Sequence, residues 1–214
     1  MTELKHIKQQ TYLDTYYFSN SNDKKIESIY LLLHGYNQHG KFIFDTLKDI
    51  CPKNALIIAP NGIFPIMTRM KSYYKKRYIW YFYDDFKKTY DISPEAAARC
   101  LGGLLDHLNK ASLPVTIIGF SQGGFLAPYI KSFHDKVKTV IGIGCVYREL
   151  LKDYNLNFTL HAIHGTEDKI VDYKRAKLMF QQLAPLTFGG QFLTIPNGGH
   201  QINRLVKMKI SELI

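Results

Sequence analysis

The sequence has few cysteines, and none of them are spaced as metal ligands or disulfide partners usually are. Cys51, Cys100 and Cys145 are dispersed over 214 residues without a CxxC pair. An odd, scattered set argues against a zinc site and against a disulfide-stapled scaffold, and it is typical of proteins in a reducing compartment. We therefore expect a fold that depends on its hydrophobic core.

Long apolar runs are also missing. No uninterrupted apolar stretch approaches the roughly 18 residues that a membrane span requires. The first ten residues, MTELKHIKQQ, are polar and charged, unlike a secretory signal peptide. We expect a cytoplasmic protein without stable membrane insertion, in which a hydrophobic content of 46% builds one domain over residues 1–214.

Acidic residues are scarce relative to basic ones. The chain has 18 Asp and Glu against 28 Lys and Arg, a formal net charge of +10. A basic balance is compatible with nucleic acid, an anionic membrane surface or an acidic substrate. Most of the excess is lysine spread along the chain, as on a solvated surface, so no nucleic-acid partner is expected. Basic residues are densely clustered in one place, within an insert at about residues 63–90.

Short β-branched segments alternate with amphipathic helices, which predicts an α/β fold with a mostly parallel central sheet and helices on both faces. An antiparallel edge strand is expected within Ile7–Phe18, Ser93 is expected to cap a helix, and Pro128 to bend one. The predicted strands are Ser28–Leu33, Ala55–Ala59, Val115–Gly119, Val137–Ile143, Phe158–Ile163 and Gln191–Ile195, and further predicted helices are Lys41–Ile50, Gln122–Phe133, Val171–Ala184 and Ile202–Leu213.

The serine at position 121 lies in the sequence GFSQGG, directly after a predicted strand and before a predicted helix. A G-x-S-x-G pattern alone is weak evidence, but this context predicts a strained turn that exposes the serine hydroxyl above the sheet. Ser121 is therefore the candidate nucleophile. The alternative is an ordinary tight turn in which the hydroxyl has no chemical role.

A serine needs a general base, and the order Ser, acid, His is that of a parallel hydrolase sheet. His200 follows the last predicted strand on a glycine-rich loop, so it is the candidate base. Three carboxylates follow the preceding strand, namely Glu167, Asp168 and Asp172. We favour Asp168 as the acid that orients His200, and interpret the other two as solvated loop or helix-start charges.

Two backbone amides are candidates for an oxyanion hole. The amide of Gln122 lies at the first turn of the helix after Ser121, and we expect it, rather than the Gln122 side chain, to matter. The amide of Tyr36 follows the strand Ser28–Leu33 and the turn at His34-Gly35. An ordinary strand-to-helix turn would explain His34-Gly35 equally well in isolation.

These residues resemble the carboxylesterase/phospholipase branch of the α/β-hydrolases, which contains the acyl-protein thioesterases. The matching pieces span most of the chain and are LLLHGYNQ, IIAPNG, Trp80 with Tyr81, IIGFSQGG, HGTEDKIV and GGH. The resemblance implies a Ser121–Asp168–His200 triad, the Tyr36 and Gln122 amides as oxyanion hole, and no cofactor or metal. It also implies hydrolysis of small-molecule or lipid-like esters or thioesters, by a monomer or a homodimer.

The insert at about residues 63–90 departs from the family pattern and is a candidate lid or wall of the substrate pocket. Phe82 stands where family members carry an aspartate, and Trp80, Tyr81 and Phe82 are candidate substrate-binding residues. A partly buried loop with solvated lysines is the competing interpretation. Two functional alternatives stay open: a non-catalytic binding protein with a hydrolase fold, and a different serine hydrolase such as a peptidase or a carbon–carbon hydrolase.

Overall fold

The computed structural model describes residues 25–84, 86–148, 154 and 156–214, and the backbone of 15–19. Most of the predicted sheet and helix segments are present, with small shifts at their ends. The strands are β1 (Thr15–Ser19), β2 (Ser28–Leu33), β3 (Ala55–Pro60), β4 (Phe64–Arg69), β5 (Tyr74–Ile79), β6 (Phe82–Asp84), β7 (Thr89–Ile92), β8 (Val115–Phe120), β9 (Val137–Ile143), β10 (Thr159–Gly165) and β11 (Phe192–Ile195).

Five α-helices lie within the described residues: α1 (Gly40–Leu47), α2 (Pro94–Leu108), α3 (Gln122–Leu126), α4 (Tyr173–Leu183) and α5 (Arg204–Ser211). The predicted helix at Gln122–Phe133 is shorter than expected, because it tightens into a 3₁₀ segment at Ala127–Phe133. Pro128 lies at the start of that segment and cannot donate a backbone hydrogen bond. Ser93 caps α2 as predicted, accepting a hydrogen bond from the amide of Glu95. None of the helices described is both long and apolar enough to cross a membrane.

The main sheet has seven strands in the order β1-β3-β2-β8-β9-β10-β11. Six of them are parallel, and β1 pairs antiparallel with β3 at the edge, where Thr15 faces Pro60. This confirms the predicted antiparallel edge, although residues 1–14 lie outside the described part of the chain. Register pairs Leu33 with Gly119 and Phe120 with Ile143, so the carboxyl ends of β2, β8 and β9 meet along one edge.

The two faces of the sheet are covered by different helices. Ile43 of α1 and Ile210 of α5 pack with sheet residues such as Leu32 on one face. Leu101 of α2 and Phe180 of α4 pack with residues such as Leu33 on the opposite face. Removal of these side chains from water fixes the helices on the sheet. The predicted two-sided α/β architecture is confirmed.

The insert at residues 63–90 has more regular structure than an irregular loop. Strands β4 and β5 form one antiparallel pair, with Phe64 opposite Ile79, and β6 and β7 form a second pair, with Tyr83 opposite Tyr90. The first pair is attached to the segment after β2, since Thr68 donates a hydrogen bond to the Asn37 side chain at 2.8 Å. The insert therefore lies against the edge where β2 ends.

Candidate active site

Ser121 lies between β8 and α3 in a backbone conformation that few L-residues adopt, with φ 52° and ψ −115°. The surrounding hydrogen bonds hold it there. Its amide donates to the carbonyl of Ile143 at 2.8 Å, and its carbonyl accepts from the amide of Phe125 at 3.0 Å. A positive φ at a residue with a Cβ is strained, and such strain is common where a side chain must be presented at a fixed angle.

The glycines on either side of Ser121 are required by close backbone contact. A Cβ on Gly119 would lie 2.4 Å from the carbonyl oxygen of Gly123, and a Cβ on Gly123 would lie 2.6 Å from the carbonyl oxygens of Leu33 and His34. These separations are far shorter than van der Waals contact. The G-x-S-x-G pattern thus lets α3 start directly above the ends of β8 and β2.

Asp168 and His200, predicted as acid and base, lie in contact. The distance from His200 Nδ1 to Asp168 Oδ2 is 2.7 Å, and the Asp168 side chain is fully buried while that of His200 is 16% exposed. A carboxylate can only accept, so Nδ1 carries the proton and Nε2 keeps a free lone pair. An imidazole in this tautomer can take a proton from a hydroxyl at its Nε2 side.

Asp168 is held as an ionised carboxylate by its hydrogen bonds. Burial alone would raise the pKa of Asp168, but hydrogen bonds from the amides of Val171 and Ile170 and from His200 outweigh it and lower the pKa. The two amides bind Oδ1, at 2.8 and 2.9 Å, which leaves Oδ2 for His200. The neighbouring Glu167 and Asp172 are exposed, and Asp172 caps α4 through the amide of Arg175.

A second histidine that we did not expect at this site also lies beside Asp168. His164 Nε2 is 3.3 Å from Asp168 Oδ2 and 3.0 Å from the carbonyl oxygen of Val171. Two oxygen acceptors at one nitrogen place the proton on Nε2. His164 is buried at the end of β10, so it supports the Asp168 carboxylate from the side opposite the solvent.

Gly144 connects the Asp168–His200 pair to Ser121. It follows β9 with φ +56°, and a Cβ at this position would lie 3.2 Å from His200 Nδ1 and 3.4 Å from Asp168 Oδ2. The ring of His200 also packs on Phe120, the residue before Ser121, with 4.9 Å between ring centroids. The three predicted residues are thereby brought to the same edge of the sheet.

The two predicted oxyanion amides are on the same side of the sheet. Gln122 is the first residue of α3, where backbone N–H groups have no acceptor within the helix. Tyr36 lies after β2, and both residues line a common cavity. The amide of Gly35, which precedes Tyr36, is occupied by the Gln38 side chain at 2.8 Å.

The side chain of Gln122, which we did not expect to matter, binds the start of the β6–β7 segment. Its Oε1 accepts from the amide of Trp80 at 2.9 Å, and its Nε2 donates to the carbonyl of Tyr81 at 2.9 Å. The indole Nε1 of Trp80 donates in turn to the carbonyl of His34 at 2.9 Å. This network joins the segments after β2, β5 and β8.

The candidate substrate-binding residues have different positions. Trp80 is fully buried, 0% exposed, with its ring 4.8 Å from that of His34, so the expectation that it contacts substrate is wrong. Burial in the core removes the large apolar ring of Trp80 from water, and the hydrogen bond to the carbonyl of His34 pairs its single polar side-chain atom. Tyr81 and Phe82 both line a cavity beside Gln122. Other aromatic residues of the insert, such as Tyr73 and Tyr74, are exposed.

Two cavities, each of about 470 Å³, flank Gln122 and share Tyr81. We call the first the Ser121 cavity; it is lined by Tyr81, Ser121, Gln122, Phe125, Gly144, Cys145, Val146, Arg148, Ile170, Val171, Asp172 and Arg175. We call the second the aromatic cavity; it is lined by Tyr36, Tyr81, Phe82, Tyr83, Asp84, Phe86 and Gln122. A group of small-molecule size therefore has room in each of the two cavities beside Gln122.

Comparison of the sequence with known proteins gives a consistent match. A family model for phospholipases/carboxylesterases matches residues 16–214. Acyl-protein thioesterase 1 homolog 2 from Dictyostelium discoideum is 28% identical over 134 residues, which cover 58% of this chain and 60% of that protein. Lysophospholipase-like protein 1 from Mus musculus is 24% identical over 205 residues, covering 86% of this chain and 84% of that protein.

Solved structures share the fold at low sequence identity. Acyl-protein thioesterase 2 from Zea mays superposes with a TM-score of 0.72 at 17% identity, covering 94% of this chain and 97% of that one. Esterase PE8 gives the same TM-score and coverage at 19% identity. These likenesses show the α/β-hydrolase fold.

Proposed function

Because the chain belongs to the phospholipase/carboxylesterase family, we propose that it is a serine hydrolase that cleaves carboxylic esters or thioesters through an acyl-enzyme. The observation that carries this proposal is the 2.7 Å contact between His200 Nδ1 and Asp168 Oδ2, on the sheet edge that presents Ser121. A buried carboxylate that fixes the tautomer of a partly exposed imidazole lets that imidazole act as a general base.

In the proposed acylation step, Ser121 Oγ attacks the carbonyl carbon of the substrate while His200 Nε2 takes the hydroxyl proton. The carbonyl oxygen becomes an oxyanion, which the amides of Tyr36 and Gln122 stabilise. The intermediate then collapses, the bond to the alcohol or thiol breaks, and His200 gives its proton to that leaving group. Asp168 stabilises the imidazolium that exists between the two proton transfers.

Deacylation reverses the roles with water in place of the leaving group. His200 removes a proton from water, the resulting hydroxide attacks the acyl carbonyl, and the same two amides stabilise the second oxyanion. Ser121 regains its proton from His200 as the carboxylic acid leaves. No redox change occurs in this sequence: the leaving group takes the proton that Ser121 loses, and water supplies the proton that returns to Ser121.

The substrate is proposed to be a small or lipid-like ester or thioester that occupies both cavities. Tyr81 and Phe82 support this assignment because they line space directly beside Gln122. The insert at residues 63–90 then acts as a pocket wall of a single cytoplasmic hydrolase domain. The basic side chains of its β4–β5 pair, including Lys75 and Lys76, are exposed to solvent.

Covalent labelling with a fluorophosphonate tests the proposal directly. The wild type should be labelled once, at Ser121, and Ser121→Ala should not be labelled. Initial rates with p-nitrophenyl acyl esters of graded chain length and with peptide p-nitroanilides then separate an esterase from a peptidase. An unlabelled wild type, or equal labelling of Ser121→Ala, would overturn the enzyme assignment in favour of a binding protein.

A further inference from the structure

Arg148 lies in the Ser121 cavity, where an esterase for neutral acyl groups has no need of a cation. It is half-buried in the segment that follows β9. Its guanidinium is surrounded by aromatic rings, with Cζ at 4.2 Å from the ring centroid of Tyr83, 5.3 Å from that of Tyr90 and 5.4 Å from that of Phe125. These contacts hold one charged group at a fixed place beside the candidate nucleophile.

Arg148 carries a positive charge at neutral pH, as an arginine in a protein does. Burial lowers its pKa, but a hydrogen bond with Tyr83 and the proximity of Tyr90 and Tyr81 raise the pKa by more than burial lowers it. The net pKa therefore lies above the ordinary value. Within the described part of the chain, no carboxylate forms an ion pair with Arg148. A guanidinium that stacks on rings uses its faces and keeps N–H donors at its edge.

The remaining charged groups of the cavity largely offset each other. Arg175 is exposed at the start of α4. Asp172 is the one described carboxylate in the lining, and it accepts a hydrogen bond from the Arg175 backbone amide at 2.7 Å. With two guanidinium groups and one carboxylate, the lining is complementary to a single negative charge. The rest of the lining combines polar residues such as Ser121 and Gln122 with apolar ones such as Phe125, Val146 and Ile170.

Resting on the proposed hydrolase function, we propose that the Ser121 cavity selects substrates with a carboxylate on the group that enters it, and that Arg148 binds this carboxylate. A guanidinium fork matches the two oxygens of a carboxylate, and partial burial strengthens the pair. The aromatic cavity on the other side of Gln122 takes the uncharged part of the substrate. Arg148 is thus a specificity residue, distinct from the groups that perform the chemistry.

A purely structural role for Arg148 is the competing explanation. Tyr83 and Tyr90 face each other in the β6–β7 pair, and Phe125 belongs to α3, so Arg148 also joins these elements. A structural clamp would affect charged and neutral substrates alike. A binding role would affect the ratio between them, and this difference is what the experiment measures.

The experiment compares substrate pairs that differ in one charge. The first pair is the mono-p-nitrophenyl ester of adipic acid and its methyl-capped neutral counterpart, which places the charge on the acyl group. The second is butyryl para-hydroxybenzoate and the methyl ester of the same compound, which places it on the leaving group. kcat/KM is measured for wild type, Arg148→Gln and Arg148→Lys. Arg99→Gln is the matched control, because Arg99 also stacks on a ring, that of Phe133, but lines neither cavity.

We expect the wild type to prefer the charged member of one pair, and that pair identifies which half of the substrate enters the Ser121 cavity. Arg148→Gln should lower this charged-to-neutral ratio roughly ten- to a hundredfold, mainly through KM, as expected for loss of a charge-assisted hydrogen bond. Arg148→Lys should recover part of the ratio, and Arg99→Gln should keep the wild-type value. Equal ratios in the wild type and Arg148→Gln for both pairs would overturn the proposal.

A measurement on the wild type alone covers the case in which Arg148→Gln does not fold. Adipic acid monoamide, an anion without an ester bond, should slow fluorophosphonate labelling of Ser121, and the neutral diamide of adipic acid at the same concentration should not. Equal effects of the two compounds would contradict an anion site. If the wild type neither labels nor hydrolyses any ester, the hydrolase proposal fails. Calorimetric binding of adipic acid monoamide, present or absent, then decides the anion site separately.

Discussion

The side chain of Gln122 accepts a hydrogen bond from the backbone amide of Trp80 at 2.9 Å. One residue therefore has two roles in the site: its backbone amide begins α3, and its side chain fixes the segment that follows β5. Because Trp80 also binds the carbonyl of His34, the segments that carry both candidate oxyanion amides are joined through one buried indole.

Replacement of Gln122 by Met should separate these two roles. Met has a similar length but cannot form the bonds to Trp80 and Tyr81, so the variant should lose about 1–3 kcal/mol of unfolding free energy. The backbone amide is retained, so Ser121 should still be labelled, with a higher KM for esters. Urea unfolding and steady-state kinetics measure both effects. The exposed Gln181→Met on α4 is the control, and equal stability of the two variants would contradict the role assigned to the side chain.

Replacement of Asp168 by Asn should lower kcat for p-nitrophenyl butyrate on the order of a thousandfold or more, because the amide neither fixes the His200 tautomer as a carboxylate does nor stabilises the imidazolium. Glu167→Gln removes one negative charge from the adjacent exposed position and should keep the wild-type kcat. If the two substitutions reduced kcat equally, the assignment of Asp168 as the acid would be wrong.

The strained backbone at Ser121 predicts an unusual order of stability. Ser121→Gly removes the Cβ that makes φ 52° unfavourable, whereas Ser121→Ala retains it. Both variants should lose labelling, but the glycine variant should be the more stable one by about 1 kcal/mol or more, the scale of such strain. Chemical denaturation of the pair measures this difference. A more stable alanine variant would show that the conformation carries no strain.

His34 predicts the acid dependence of stability. Burial lowers the pKa of His34 from 6.5 to about 4, because the enclosed ring loses the water that would solvate its charged form. In the folded protein Nε2 accepts a hydrogen bond from the amide of Gly62 at 2.8 Å, which a protonated nitrogen could not do. The unfolded state therefore binds the proton first as pH falls. The stabilising effect is complete above about pH 6.5 and is lost towards pH 4, amounting to about 3 kcal/mol.

The corresponding test measures unfolding free energy between pH 4 and pH 7. His34→Gln keeps a donor and an acceptor but cannot titrate in this range, so its stability should depend on pH less steeply than that of the wild type. The exposed His107→Gln is the control for the loss of one histidine. Equal slopes for the wild type and His34→Gln would contradict the role of His34.

Sequence patterns predicted the main sheet well, because each buried strand is a short β-branched segment and several helices have a side-chain signal at their start. Ser28–Leu33 and Val137–Ile143 are strands with the predicted bounds, and Ser93 caps its helix. The catalytic roles of Ser121, Asp168 and His200 stay predictions, although their convergence on one sheet edge follows from strand order. The carboxyl ends of parallel strands lie at the same edge of a sheet, so residues that directly follow such strands converge there.

The contacts around the site were less accessible to sequence reasoning. Strand β5 carries basic residues on both faces, and Pro65 interrupts the short apolar segment of β4, so the insert gave no clear strand signal. The positions of His164 beside Asp168 and of Arg148 against Tyr83 depend on packing between elements far apart in sequence. The position of Trp80 was predicted wrongly for the same reason. A single aromatic residue in a sequence does not indicate whether its ring faces the core or a substrate cavity.

The strand order has a consequence for the biosynthesis of the proposed enzyme. Ser121 and Asp168 are translated before β11 and before His200, which follows it in the chain. A nascent polypeptide that has emerged from the ribosome only as far as α4 contains the hydroxyl and the carboxylate without the imidazole. In the proposed mechanism this incomplete chain cannot form the acyl-enzyme, because no imidazole removes the proton of Ser121. In that mechanism, reactivity requires β11 and the loop after it, so the protein stays unreactive until almost the whole chain has been made.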